Sequence, residues 1–260
     1  MIPSPTISPA SIIFLGSKKI GYLCLADLLS EDLSRRVKIK AVFTAPPHPL
    51  DDPEMSISAL CAPYHIPVHT TLADMDGMEE VDFIISVQYH LILHPNYLNK
   101  AHHLAINLHL APLPEYRGCN PFSFAILDKK KVFGVTLHKM TPQPDAGDIL
   151  FEKRFAIPPL CMVKELYDLS LIAALELFTE SMPHLLDGNF TPVSQDSLLA
   201  KRGTTYHFRN EIEEIKKLDL YWSPERIARH IRATWFPPYE PPYFEWAGKK
   251  FPLSLTQDCG

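Results

Sequence analysis

Hydrophobic and polar positions along the first 160 residues follow two rhythms. Short apolar runs rich in β-branched residues read as strands: Ser11-Ile-Ile-Phe-Leu15, then residues 37–43, 67–69, 81–87 and 104–109. Between them, residues 20–29 carry Ile20, Leu23, Leu25, Leu28 and Leu29 on one side of a helix, and a shorter helix fits 56–64. Strands alternating with helices predict an α/β fold, a mostly parallel sheet flanked by helices. Residues 121–127 read as a further helix, with Pro121 at its first position and Asn120 as N-cap. Two strands, 132–140 and 148–157, are joined by the loop 141–147, and a long helical period fills 162–186, with Gly188 as its stop. Beyond about residue 192 the chain turns polar and aromatic, with helices expected at 210–218 and 224–233 before a proline-rich end at 235–250. The pattern divides the chain into a main domain, 1–190, and a small C-terminal α/β extension, 191–260.

Composition narrows the class. The 260 residues are 46% hydrophobic and 21% charged, enough for a sizeable core. A net charge of -5 opposes non-specific nucleic-acid binding, which needs a basic surface, but leaves room for a local basic pocket. Five cysteines, Cys24, Cys61, Cys119, Cys161 and Cys259, are widely spaced with no C-x-x-C pair, as in a cytoplasmic protein with reduced thiols. No apolar run reaches the roughly 20 residues of a membrane helix. Residues 1–11 lack a charged start before an apolar stretch and read as a loose lead-in, not a signal peptide. Twenty-five prolines, clustered at 46–49, 112–121, 142–144 and 237–242, mark ordered turns.

Candidate chemistry gathers at strand ends. Gly16-Ser17-Lys18 sits where a strand feeds a helix, a place where backbone N–H groups hold phosphate, although a plain βα turn explains the same residues equally well. The histidines form no coherent metal set: Pro67 separates His65 from His69, His102 and His103 are adjacent, and His90 and His94 border a strand end. Strand alternation puts Asn107 and His109 on one face at a carboxyl end, where open α/β sheets bind ligands. Asn offers a neutral donor to an oxyanion, and His titrates near neutral pH. The competing reading is structural, with Asn107 satisfying a backbone group and His109 packed in a polar core. Asp145 lies on a loop within reach.

The stretch Ile106-Asn-Leu-His-Leu-Ala-Pro-Leu-Pro-Glu-Tyr-Arg-Gly118, followed by Gly134-Val-Thr-Leu-His-Lys-Met140 and Asp145-Ala-Gly-Asp-Ile-Leu150, resembles the signature of the folate-dependent formyltransferases. The resemblance runs from about residue 11 to 186 and implies their Rossmann-like fold. Ser86-Val-Gln-Tyr-His90, Tyr206-His-Phe-Arg-Asn210 and Phe236-Pro-Pro-Tyr-Glu-Pro-Pro-Tyr243 look like the branch acting on dTDP-linked amino sugars. The methionyl-tRNA branch carries a longer C-terminal domain, for which this chain looks too short.

That resemblance implies a role for each matching position. Asn107, His109 and Asp145 become the catalytic set, with N10-formyltetrahydrofolate as donor and no metal. The pterin is expected along Ser86, Val87, Gln88, Tyr89, His90 and Leu91, with Asp145 and Asp148 in the loop over it. The acceptor, a 3- or 4-amino-dideoxy sugar on dTDP, is expected from the opposite side. Gly16, Ser17 and Lys18 are expected at its diphosphate with Arg117 or Arg209. Trp222, Trp235, Phe236 or Tyr239 is expected on its base, and Tyr116 and Asn120 along its sugar. For the aromatic residues, packing of the C-terminal unit is the alternative. Leu110-Ala111 stands where other branches often have Pro-Ser, which affects pocket detail and not reaction class. A homodimer, no nucleic-acid partner and no membrane partner are also implied. Another amine acceptor, such as a UDP-amino sugar, and a non-catalytic folate- or nucleotide-binding relative are the rival readings.

Overall fold

Ile12 and Phe14 enter one hydrophobic cluster, Ile13 and Leu15 the cluster on the opposite face, and all four are buried. Burial on both faces marks a central strand of a covered sheet. Each such side chain contributes roughly 1.5–3 kcal/mol on leaving water. The computed structural model of the protein describes residues 8–46, 52 and 54–253. Residues 1–7 of the lead-in, Pro47 and Pro49 of the first proline cluster, and Cys259 lie outside the described residues.

The first half is β1 (Ala10–Gly16), α1 (Lys18–Leu28), β2 (Val37–Phe43), α2 (Ile57–Cys61), β3 (Val68–His69), β4 (Val81–Val87), α3 (Pro95–Leu98) and β5 (Ala101–His109). It continues through β6 (Tyr116–Gly118), α4 (Pro121–Leu127), β7 (Val132–Lys139), β8 (Ile149–Ala156) and α5 (Val163–Leu186). The main sheet has the order β3-β2-β1-β4-β5-β7-β8. Its first five strands are parallel, whereas β7 and β8 run antiparallel at one edge. The α/β fold read from the sequence is therefore the fold observed. The strand order reverses between β1 and β4, and in open α/β sheets that switch point opens a crevice beyond the carboxyl ends of the strands. Helix α5 buries Leu166, Ser170, Ala174, Leu177, Ser181 and Leu185 at intervals of three and four, the spacing of one helix face.

Beyond residue 190 come α6 (Leu199–Arg202), β9 (Thr205–His207), α7 (Glu211–Lys216), β10 (Lys217–Leu218), α8 (Pro224–Thr234), β11 (Tyr243–Trp246) and β12 (Lys249–Pro252). Strands β11 and β12 occupy a stretch that the proline pattern left as irregular chain. This segment packs closely on the main sheet. Strand β9 adds to β6 in parallel, Val193 bridges Ile149, and Ala233 shares a hydrophobic cluster with Ala111, Tyr116, Phe133 and Leu166. Arg202 donates to both oxygens of Glu152 and to the Leu113 carbonyl, while Arg154 joins Glu152 to Glu115. Among the described residues no helix is long and apolar enough to cross a membrane.

Asn120 holds the expected N-cap position of α4, with φ 56°, but without side-chain capping. Its amide donates instead to the Arg209 and Phe208 carbonyls, 3.2 and 3.5 Å away, so it ties the C-terminal segment to the start of α4.

Candidate active site

Strand β5 delivers Asn107 and His109 to one face at its carboxyl end, and His109 is buried to 8% exposure. The loop between β7 and β8 brings Asp145 to them. Asp145 has φ 54°, a left-handed conformation that costs a residue with a Cβ about 1–2 kcal/mol. Hydrogen bonds hold it there. The Gly118 N–H donates to its Oδ2 at 2.9 Å, and Gln195 Nε2 donates to the carbonyls of Asp145 and Gly147 at 2.9 and 2.7 Å. Gly147 is required by close approach, since a Cβ there would lie 1.9 Å from the Lys139 carbonyl oxygen.

The Asp145 Oδ1 atom stands 3.7 Å from His109 Nδ1 and 3.6 Å from His138 Nε2. Burial works to raise the Asp145 pKa, but His109, His138 and the Gly118 N–H outweigh it and hold the carboxyl well below the usual carboxylate range. Two carbonyls fix the imidazole tautomers. His138 Nδ1 lies 2.9 Å from the Lys139 oxygen and donates to it, and its Nε2 faces both the Asn107 Nδ2 amide, 3.1 Å away, and the Asp145 carboxylate. The Asn107 amide turns its nitrogen toward that ring and keeps one N–H free of it. His109 Nε2 donates to the Tyr116 carbonyl at 2.8 Å, leaving Nδ1 toward Asp145 at a separation too long for a hydrogen bond.

His109 lines a cavity of about 630 Å³. Of the expected ligand residues, Ser17, Lys18, Gln88, Tyr89, His90, Asn120, Arg209, Phe236 and Tyr239 line it too. Ser17, Lys18 and Gln88–His90, expected on opposite sides, share one wall. The reason is topological, because β1 and β4 are neighbours at the switch point. Ser17 N–H donates to the Val87 carbonyl, Ser17 Oγ to the Gln88 carbonyl, and Lys18 Nζ to Gln88 Oε1 at 3.2 Å.

Other expected residues serve elsewhere. The Tyr116 ring is 2% exposed and its hydroxyl donates to Asp128 at 2.7 Å; burial and that carboxylate push its pKa far up. Arg117 donates twice to Gln195. Trp222 lies beneath the Arg226 guanidinium, 3.9 Å from it, and beside His230. Trp235 and Gly16 do not line the cavity, and a Cβ on Gly16 would strike the Phe14 ring. Ser86 and Val87 are buried within β4, Leu91 is exposed, and the Asp148 carbonyl closes the loop by accepting Lys139 N–H.

Sequence reasoning missed four residues. His138 reaches Asn107 only through the antiparallel pairing of β5 with β7, which the sequence does not state. Lys216, 6% exposed, paired with Glu213 and lining the cavity, shares a helix face with Ile212 at i and i+4. Tyr167 faces the cavity from α5. Gln195, in a polar connection, carried no signal.

A half-buried Asn, two imidazoles and a carboxylate at the carboxyl end of a parallel sheet, beside a cavity with cationic and aromatic walls, make an acyl-transfer type of site. The family model described as formyl transferase matches residues 68–180. The methionyl-tRNA formyltransferase of Geobacillus sp. (strain WCH70) is 31% identical over 250 residues, covering 91% of this chain and 74% of that protein. The chain belongs to the formyl transferase family. Two solved structures share its fold, each 21% identical. A 4-N formyltransferase from Francisella tularensis superposes with TM-score 0.74, over 95% of this chain and 97% of that one. An N-formyltransferase from Helicobacter canadensis, solved with folinic acid and dTDP-3-aminofucose, gives 0.73 over 92% and 85%.

Proposed function

We propose that this formyltransferase moves the formyl group of N10-formyltetrahydrofolate onto the amine of a dTDP-linked 3- or 4-amino-dideoxy sugar, a precursor for surface polysaccharide. The observation that carries the reading is the Asn107–His138–Asp145–His109 cluster beside a cavity with Lys18, Arg209 and Lys216 and the rings of Tyr167, Phe236 and Tyr239 on its walls. Cations suit a diphosphate and aromatic faces suit a base or a sugar. The mutual coverage with the Helicobacter canadensis N-formyltransferase, solved with dTDP-3-aminofucose, supports the same acceptor class.

In this reading the acceptor amine attacks the formyl carbon as a free base. Asn107 Nδ2, its second N–H free of His138, donates to the developing oxyanion. His109 Nδ1, held near but not bonded to Asp145, takes the proton the amine sheds and passes it to the nitrogen that leaves. A C–N bond forms to the sugar amine, the C–N10 bond breaks, and the proton ends on tetrahydrofolate. Asp145 stabilises the imidazolium between the two transfers. Backbone around Gln88–His90 serves the donor's pterin, and Arg209, Lys216 and Lys18 serve the acceptor's phosphates. The enzyme acts as a homodimer in the cytoplasm.

A second reading takes methionyl-tRNA as the acceptor, because sequence relatives such as the Geobacillus sp. enzyme act there by name. The net charge of -5 argues against it. One assay decides: the protein with N10-formyltetrahydrofolate and a panel of dTDP- and UDP-amino sugars and charged initiator tRNA. Tetrahydrofolate release with a dTDP-amino sugar is the expected result. Turnover with tRNA or UDP sugars alone overturns the acceptor, and no release with any amine overturns the transfer.

A further inference from the structure

Gln195 belongs to the segment after residue 190, yet its side chain is 2% exposed beneath the catalytic loop. Its Oε1 accepts from Arg117 Nε and a terminal guanidinium nitrogen at 3.0 and 2.7 Å. Its Nε2 donates to the Asp145 and Gly147 carbonyls. The amide thus spends all four of its hydrogen bonds, two accepted and two donated, a set that only a primary amide offers. Arg117 is the middle residue of β6. On one side of it the Tyr116 carbonyl accepts His109 Nε2–H, and on the other the Gly118 N–H donates to Asp145 Oδ2. Strand β6 therefore touches both members of the His109–Asp145 pair, and Gln195 ties it to the loop carrying Asp145.

We propose that Gln195 is a positioning residue for formyl transfer, holding the loop so that the Asp145 carboxylate stays against His109 and His138. This rests on the formyl-transfer reading for its kinetic consequence, but its geometric consequence is independent of any substrate. Asp145 is faced by His109 from β5, His138 from β7, Tyr206 from β9 and the Gly118 N–H from β6. Release of the loop moves the carboxylate away from the groups that favour its charged form.

The test compares wild type with Gln195→Leu, Gln195→Glu and Arg117→Met. The Asp145 carboxyl carbon is followed by 13C NMR titration, assigned by its absence in Asp145→Asn, alongside steady-state kinetics. In Gln195→Leu the Asp145 midpoint is expected to rise toward the ordinary aspartate value of about 4. The kcat is expected to fall at least about tenfold, as a misplacement near 1 Å does, with both KM values within about twofold. Gln195→Glu keeps the acceptor for Arg117 but has no donor, and should behave like Leu. Arg117→Met should shift both readouts less, and the double variant Arg117→Met/Gln195→Leu should be no worse than Gln195→Leu alone. An unchanged Asp145 titration in a folded variant overturns the proposal, as does a kcat within about twofold of wild type or a loss confined to KM. If Gln195→Leu does not fold, Gln195→Glu and Arg117→Met carry the same readouts. If no acceptor is ever formylated, the titration still decides the role of Gln195 while the functional reading falls separately.

Discussion

The turn at residues 16–18 and the loop around Asp145 both border the His109 site, but different forces hold them. The turn is fixed by its neighbours in the sheet: Ser17 N–H on the Val87 carbonyl, Gly21 N–H on the Ser17 carbonyl, and Ser17 Oγ on the Gln88 carbonyl. Any chain with β1 beside β4 brings those backbone groups together. The Asp145 loop has no such guarantee. It carries a left-handed residue, and Gln195, fifty residues onward, holds it from below. The first element follows from topology and the second depends on individual side chains; in the proposed function the first serves binding and the second chemistry. Changes in the loop should therefore act on kcat, and changes in the turn on KM.

The sharpest break of that comparison is Asp145→Asn, which keeps the shape and removes the charge. It should lower kcat by about 10²–10⁴, the range for loss of acid–base function, with acceptor KM little changed in steady-state assays. If Lys18→Ala cost more kcat than this, the division between the two elements would be wrong. Asn107→Ala removes the oxyanion donor and should lower kcat by about 10²–10³, or 2.7–4 kcal/mol, measured under saturating donor and acceptor. Gly147→Ala forces a methyl group toward the Lys139 carbonyl and should destabilise the fold by about 1–3 kcal/mol in urea unfolding, with a loss of kcat. On the other side, Lys18→Ala should raise the acceptor KM about tenfold, near 1.4 kcal/mol, with kcat within about threefold.

The smallest effect concerns acid stability. The Asp145 pKa is depressed in the fold, so its contribution to stability is fully present above its unfolded value of about 4 and is lost as pH falls through the lower folded value. Urea midpoints between about pH 4 and 2 should fall more steeply for wild type than for Asp145→Asn. Equal slopes would show that the carboxylate is not held by its neighbours.

Much of this arrangement was legible in the chain because it is local. Residues 81–87 are rich in apolar, β-branched side chains, and they form β4 with those bounds. Asn107 and His109 are two apart on a strand, so sharing a face follows from the pleat alone. The long apolar period of 162–186 could bury itself only as a helix against the sheet, and α5 does so. These are consequences of backbone geometry and hydrophobic burial, which act on neighbours in sequence.

What tertiary structure decided involves partners far apart in the chain. Opposite Asn107 the antiparallel register set His138, and a sequence cannot state which strands pair. The adjacency of β1 and β4 merged two expected binding sides into one wall. Tyr116, Arg117 and Trp222 carry functional groups that look free in the sequence but are satisfied within the fold by Asp128, Gln195 and Arg226. Gln195 lies in a polar connection with no periodicity, and only its four bonds in the folded chain reveal it. A hydrogen bond between residues fifty apart leaves no pattern in either neighbourhood, so its discovery required the structure.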